Sequence, residues 1–74
     1  ISFRFVSERQ LDIAFMHRGG EAVLMVDPLH DVDTTLEALF SALRTEPLQG
    51  LYHSDQVLRY IDLRFENKVV YKFD

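Results

Sequence analysis

The stretch from Val57 to Phe73, reading VLRYIDLRFENKVVYKF, constrains this chain more than any other. Two runs of strand-forming residues, Val57 to Phe65 and Val69 to Phe73, flank a polar break at Glu66, Asn67 and Lys68, which is the local pattern of a β-hairpin. Strand side chains alternate between faces. The first run therefore sorts into Val57, Arg59, Ile61, Leu63 and Phe65 on one side and Leu58, Tyr60, Asp62 and Arg64 on the other. The second sorts into Val69, Tyr71 and Phe73 against Val70 and Lys72. A strand in this last position is expected to lie at a sheet edge.

Upstream, Ile1, Phe3 and Phe5 alternate with Ser2 and Arg4, giving a first strand. Ser7 to Gln10 is polar and turns. Leu11 to His17 makes a second strand with Leu11, Ile13 and Phe15 on one face, and Arg18-Gly19-Gly20 supplies a tight connection. Glu21 to Val26 is a third strand. Its nearly continuous apolar character predicts cover on both faces, or a helix on one and a neighbour on the other. Pro28 ends that strand. Thr34 and Glu37 form a capping-box pattern, and Leu36, Leu39, Phe40 and Leu43 make a helical apolar stripe directed at the sheet. Pro47 and Gly50 mark the helix exit, with Leu48 to Ser54 as a connection to the hairpin. The expected product is α+β: a small, mostly antiparallel sheet of four to five strands with one amphipathic helix on one face.

Seventy-four residues make one small domain. The chain starts at Ile1 rather than Met, as an excised piece or a processed product would. At this size apolar burial barely exceeds the roughly 1.5 kcal/mol per residue of ordering entropy, so modest stability is expected. No cysteine is present, so there is neither a disulfide framework nor a thiolate metal site. A net charge of −4, with Arg and Lys dispersed, argues against nucleic-acid binding, which needs a basic surface. No apolar run approaches the roughly 20 residues of a membrane-spanning helix.

Candidate chemistry is sparse. Asp27, His30, Asp31 and Asp33 offer oxygen and imidazole ligands at short spacing, which suits a divalent cation. The ordinary reading of acids before a helix is that they complement its dipole and bind its free N–H groups. His17, His30 and His53 occupy separate segments and read as solvated or turn-associated rather than as a zinc set. No serine sits in an elbow motif, and Gly19-Gly20 is too short to cradle phosphate. The reading is of a chain without catalytic residues, metal ligands or cofactor. Asp62 and Arg64 share a strand face, either as an ion pair that holds the hairpin register or as part of a partner surface. The terminal strand from Lys68 to Phe73 offers unpaired backbone groups to another chain, with Lys68 and Lys72 as gatekeepers or as contacts for an acidic strand. That edge is equally open to self-association. Proline at Val70 is expected to block it without unfolding the domain.

Tyr60-Ile61-Asp62-Leu63-Arg64-Phe65, with the polar turn and closing strand after it, resembles the C-terminal end of the β domain of the bacterial division proteins FtsQ and DivIB. The layout of upstream strands, acidic loop and amphipathic helix agrees, and the specific motif lies in Tyr60 to Lys72. The resemblance implies a non-catalytic scaffold of the septal division complex, on the extracytoplasmic side of the cell membrane and anchored by a transmembrane helix outside this chain. It implies FtsB- or DivIC-like and FtsL-like protein partners. The positions it marks for partner binding are Tyr60, Arg64, Val69, Val70, Tyr71 and Lys72. Two other readings stay open: a small cation- or ligand-binding module built on the Asp27 to Asp33 loop, and a structural domain of another envelope protein.

Overall fold

A computed structural model describes residues 1–66 and 68–74. Five strands form one sheet in chain order: β1 (Ser2–Ser7), β2 (Gln10–His17), β3 (Gly20–Val26), β4 (Leu58–Asp62) and β5 (Val70–Phe73). Two helices, α1 (Val32–Leu43) and α2 (Leu48–Tyr52), fill the crossover from β3 to β4. That crossover makes β3 and β4 parallel, and every other neighbouring pair is antiparallel. The fold is the expected α+β arrangement. Asn67, in the middle of the expected polar turn, lies outside the described residues.

Local chemistry explains each joint. Between β2 and β3 the loop is two residues long, because His17 pairs with Gly20. Arg18 and Gly19 both take positive φ, 52° and 81°, as a twist-matched two-residue hairpin requires. Helix α1 starts one turn earlier than the Thr34–Glu37 pattern suggests. Asp31 is the N-cap, accepting from the Thr34 N–H at 3.2 Å, and Thr34 Oγ1 serves that carboxylate instead of capping by itself. The segment read as a plain connection contains α2, whose Leu48 is buried.

The core lies between the helices and the sheet: Ala22, Val26, Leu58, Ile61 and Leu63, with Leu39, Leu43, Tyr71 and Phe73 packed around them. Leu58 and Ile61 are three residues apart yet both point inward, which a strict period of two forbids. The register between β4 and β5 shifts between Leu58 and Tyr60, so Arg59 is the extra residue of a β-bulge. The expected sorting of Val57, Arg59, Ile61, Leu63 and Phe65 onto one face is thus corrected: Arg59 is exposed and Leu58 takes the core position.

The apolar stripe of α1 is also used only in part. Leu39 and Leu43 meet the core, whereas Leu36 and Phe40 remain exposed. A pocket of about 310 Å³ separates Leu36 and Leu39 from Leu11 and Ile13 of β2. Beyond it, all of β1 is exposed, Phe3 and Phe5 included. None of the helices described is long and apolar enough to cross a membrane.

Candidate functional site: the C-terminal edge strand

Strand β5 ends the sheet, and among the described residues nothing pairs with its outer side. Val57 and Asp74 exchange both backbone hydrogen bonds, at 3.1 and 2.9 Å. Alternation from that pair turns Lys72 and Val70 toward β4 and directs the N–H and C=O groups of Tyr71 and Phe73 outward. The proline expected to act at Val70 would therefore remove a bond of the β4–β5 ladder. Tyr71 is the position whose amide faces the open side.

The six sequence-marked positions divide into two groups. Val69, Val70, Tyr71 and Lys72 lie together on β5 and its approach, with Val69 and Tyr71 packed on the core side. Beside Val69 and Tyr71 runs a cleft of about 480 Å³, bounded across by Ala38, Ala42 and Leu48 of the helices and at its mouth by Phe65 and Lys68. Lys68 Nζ sits 4.8 Å from the Phe65 ring centre, a cation–π distance. Sequence reasoning missed this cleft, since the helices that form its far wall are remote from β5 along the chain. Tyr60 belongs to β4, directly opposite Lys72, and so stands on the helix-free face one strand in from the edge.

Arg64 is engaged by the chain itself. Its Nε donates to Asp62 Oδ1 at 2.9 Å, its Nη2 to Asp62 Oδ2 at 2.6 Å and its Nη1 to Gln10 Oε1 at 2.8 Å. The Arg64 backbone N–H adds a further bond to Asp62 Oδ1 at 3.1 Å. Donation from the guanidinium holds the buried Asp62 carboxyl below the usual carboxylate range, against the opposing effect of burial. The Leu63 N–H donates to the Met25 carbonyl at 2.8 Å. Together these bonds brace the chain as it leaves β4, and so place Phe65 at the cleft.

At the same end of the sheet, the acidic loop is already satisfied by the chain itself. Asp27 is buried and receives Arg9 Nε at 2.8 Å and Nη2 at 2.6 Å, plus the Leu29 N–H at 2.9 Å. The Arg9 hydrogen bond, more than any other contact, draws the Asp27 carboxyl below its ordinary pKa. Asp31 is spent on the helix cap. No cluster of three or more potential metal ligands exists among the described residues. His17, read as solvated or turn-associated, is in fact half-buried. Its Nδ1 accepts the Leu58 N–H at 3.1 Å, and its ring lies 4.9 Å from that of Tyr52.

No family model, curated protein or solved structure matches the chain.

Proposed function

We propose that this chain is a non-catalytic protein-interaction domain that receives its partner as an added β-strand on the outer edge of β5. The observation that carries the reading is the open edge at Tyr71 and Phe73, whose backbone groups point outward beside the apolar cleft. Strand addition draws affinity from main-chain hydrogen bonds and specificity from pockets that take alternate side chains. An incoming strand lying along β5 has the cleft between Tyr71 and Ala42 within reach of one such side chain. Lys68 and Lys72 favour a partner with acidic residues at matching positions. Arg64 contributes as a brace, and Tyr60 by fixing Lys72 from across the ladder.

The likeness of Tyr60 to Phe65 and of the closing strand to FtsQ and DivIB supports a narrower form of the proposal. The domain then belongs to a division-complex scaffold on the extracytoplasmic side of the bacterial membrane, and the added strand comes from an FtsB-, DivIC- or FtsL-like protein. The test is a chemically ligated chain carrying an N-methyl group on the Tyr71 amide. It keeps every side chain and the β4–β5 ladder. Affinity for the extracytoplasmic segment of an FtsB-like partner is expected to fall on the order of tenfold or more, as loss of one interfacial hydrogen bond and a steric block imply. Equal titration curves for the methylated and plain chains would remove the β5 edge from consideration.

A further inference from the structure

The pocket of about 310 Å³ under α1 is built differently from the cleft beside β5. Its floor is four side chains of β2 and β3, with Leu11 opposite Val26 and Ile13 opposite Leu24. Leu36 and Leu39 of α1 form its roof. A hollow of this volume falls within the range that holds small organic ligands, and such sites combine an apolar wall with a few fixed polar groups. The polar groups gather at one end, where β3 runs into the loop before α1. Asp27 stands there with its side chain 4% exposed, and His30 Nε2 lies 3.5 Å from its Oδ2. Arg9 takes Oδ2 through Nε at 2.8 Å and Nη2 at 2.6 Å. Oδ1 accepts the Leu29 N–H at 2.9 Å, its one hydrogen bond among the described residues. A carboxylate oxygen has room for two. Arg9 holds the carboxyl ionised, so this end of the pocket accepts hydrogen bonds and gives none from Asp27.

We propose that this pocket binds a small apolar molecule ending in a hydroxyl, its chain lying between Ile13 and Leu39 and its O–H donating to Asp27 Oδ1. The ionised carboxylate decides the head group. A hydroxyl donates to Oδ1 and leaves the Arg9 pair intact. An anionic carboxylate head has no hydrogen to give and meets a second negative charge. A protonated amine donates, but it brings a charge against an apolar wall and competes with Arg9 for Asp27. The wall supplies affinity by burial, so each methylene that the pocket covers tightens binding about fourfold. Val32 and Leu36, 69 and 42% exposed, carry the apolar lining out to the mouth and give the chain its way in.

The probes are n-hexanol, n-heptanol and n-octanol, with n-octanoate as the anionic counterpart. Each is titrated to its solubility limit into the isotope-labelled chain and followed by heteronuclear NMR. Saturable shifts are expected at Leu11, Ile13, Leu24, Leu36 and Leu39, tightening about fourfold with each added methylene, and not at Val69 or Tyr71 beside β5. n-Octanoate is expected to bind about tenfold more weakly than n-octanol, or worse. Asp27→Asn keeps an acceptor oxygen and loses the charge, so it is expected to narrow that preference. Ile13→Phe and Leu36→Trp place larger side chains in the pocket and are expected to lose n-octanol binding while keeping a cooperative melt. The head-group comparison in the unsubstituted chain stands whether or not either variant folds. Shifts that never saturate, n-octanoate binding as tightly as n-octanol, an undiminished preference in Asp27→Asn, or n-octanol binding kept by a folded Leu36→Trp chain each overturns the proposal.

Discussion

His17 Nδ1 accepts a hydrogen bond from the backbone N–H of Leu58 at 3.1 Å. Leu58 is fully buried, and because Val57 bonds to Asp74 its own N–H points away from β5, to the side where pairing with β3 begins only at Tyr60. The histidine supplies, through Nδ1, the acceptor that the sheet does not. A buried N–H without a partner costs about 1–3 kcal/mol. His17→Leu, which keeps the bulk and removes the acceptor, is expected to destabilise the domain by about that amount. His17→Asn, whose short amide oxygen reaches the same place, should recover part of the loss. Urea unfolding of the two variants checks the order, and equal stability of both would contradict it.

Asp62 and Arg64 set the acid limb of stability. Hydrogen bonding from Arg64 lowers the folded-state pKa of Asp62, so the pair's contribution is complete above the unfolded value of about 3.9 and is lost as pH falls through the lower folded one. Asp27, drawn down by Arg9, acts with the same sign. The stability these two carboxylates contribute is therefore expected to be complete from about pH 5 upward and to decline below about pH 4, read as melting temperature against pH relative to Asp62→Asn. Asp62→Asn should cost about 1–3 kcal/mol at neutral pH, towards the lower end because the Arg64 side chain is 33% exposed. It should also make the acid decline shallower.

Gly20 is required for space. A Cβ built there would stand 2.9 Å from Val57 Cγ1, and its φ does not call for glycine. Gly20→Ala is expected to destabilise by about 1 kcal/mol or more through overpacking. The double variant Gly20→Ala/Val57→Ala should recover much of that loss. A double-mutant cycle by thermal unfolding gives the coupling directly, and strict additivity would contradict the contact.

Asp31 rather than Thr34 caps α1. Asp31→Ala is expected to cost about 1 kcal/mol, and Thr34→Ala clearly less. Circular dichroism melts of the two variants distinguish them, since the reverse order would restore the Thr34–Glu37 box.

The strands, the β2–β3 turn and the main helix were all readable from the sequence because each depends on local chemistry: alternation, paired positive-φ residues, an apolar stripe. What escaped was decided by distant neighbours. The bulge at Arg59 is invisible to a count of alternating residues, since the residues on either side look equally regular. Helix α2 is five residues long between Pro47 and His53, and its proline and glycine resemble punctuation. Leu36, Phe40, Phe3 and Phe5 obey the periodicity of buried positions, yet α1 does not close over the β1 side of the sheet. At the candidate edge, the order of residues along β5 was readable. The cleft beside it and the engagement of Arg64 by Gln10 were not, because Gln10 lies 54 residues away.

Arg59 also gives β4 one residue more than its pairing with β5 uses. Its exposed side chain pairs with the Asp74 carboxylate at the end of β5. Removing the residue altogether would leave Leu58 opposite Phe73 and Tyr60 opposite Lys72 in unbroken alternation, with Leu58 and Ile61 still facing the core. Drift at this site can therefore proceed by replacement and by loss of the extra residue alike, without changing which residues the protein hides.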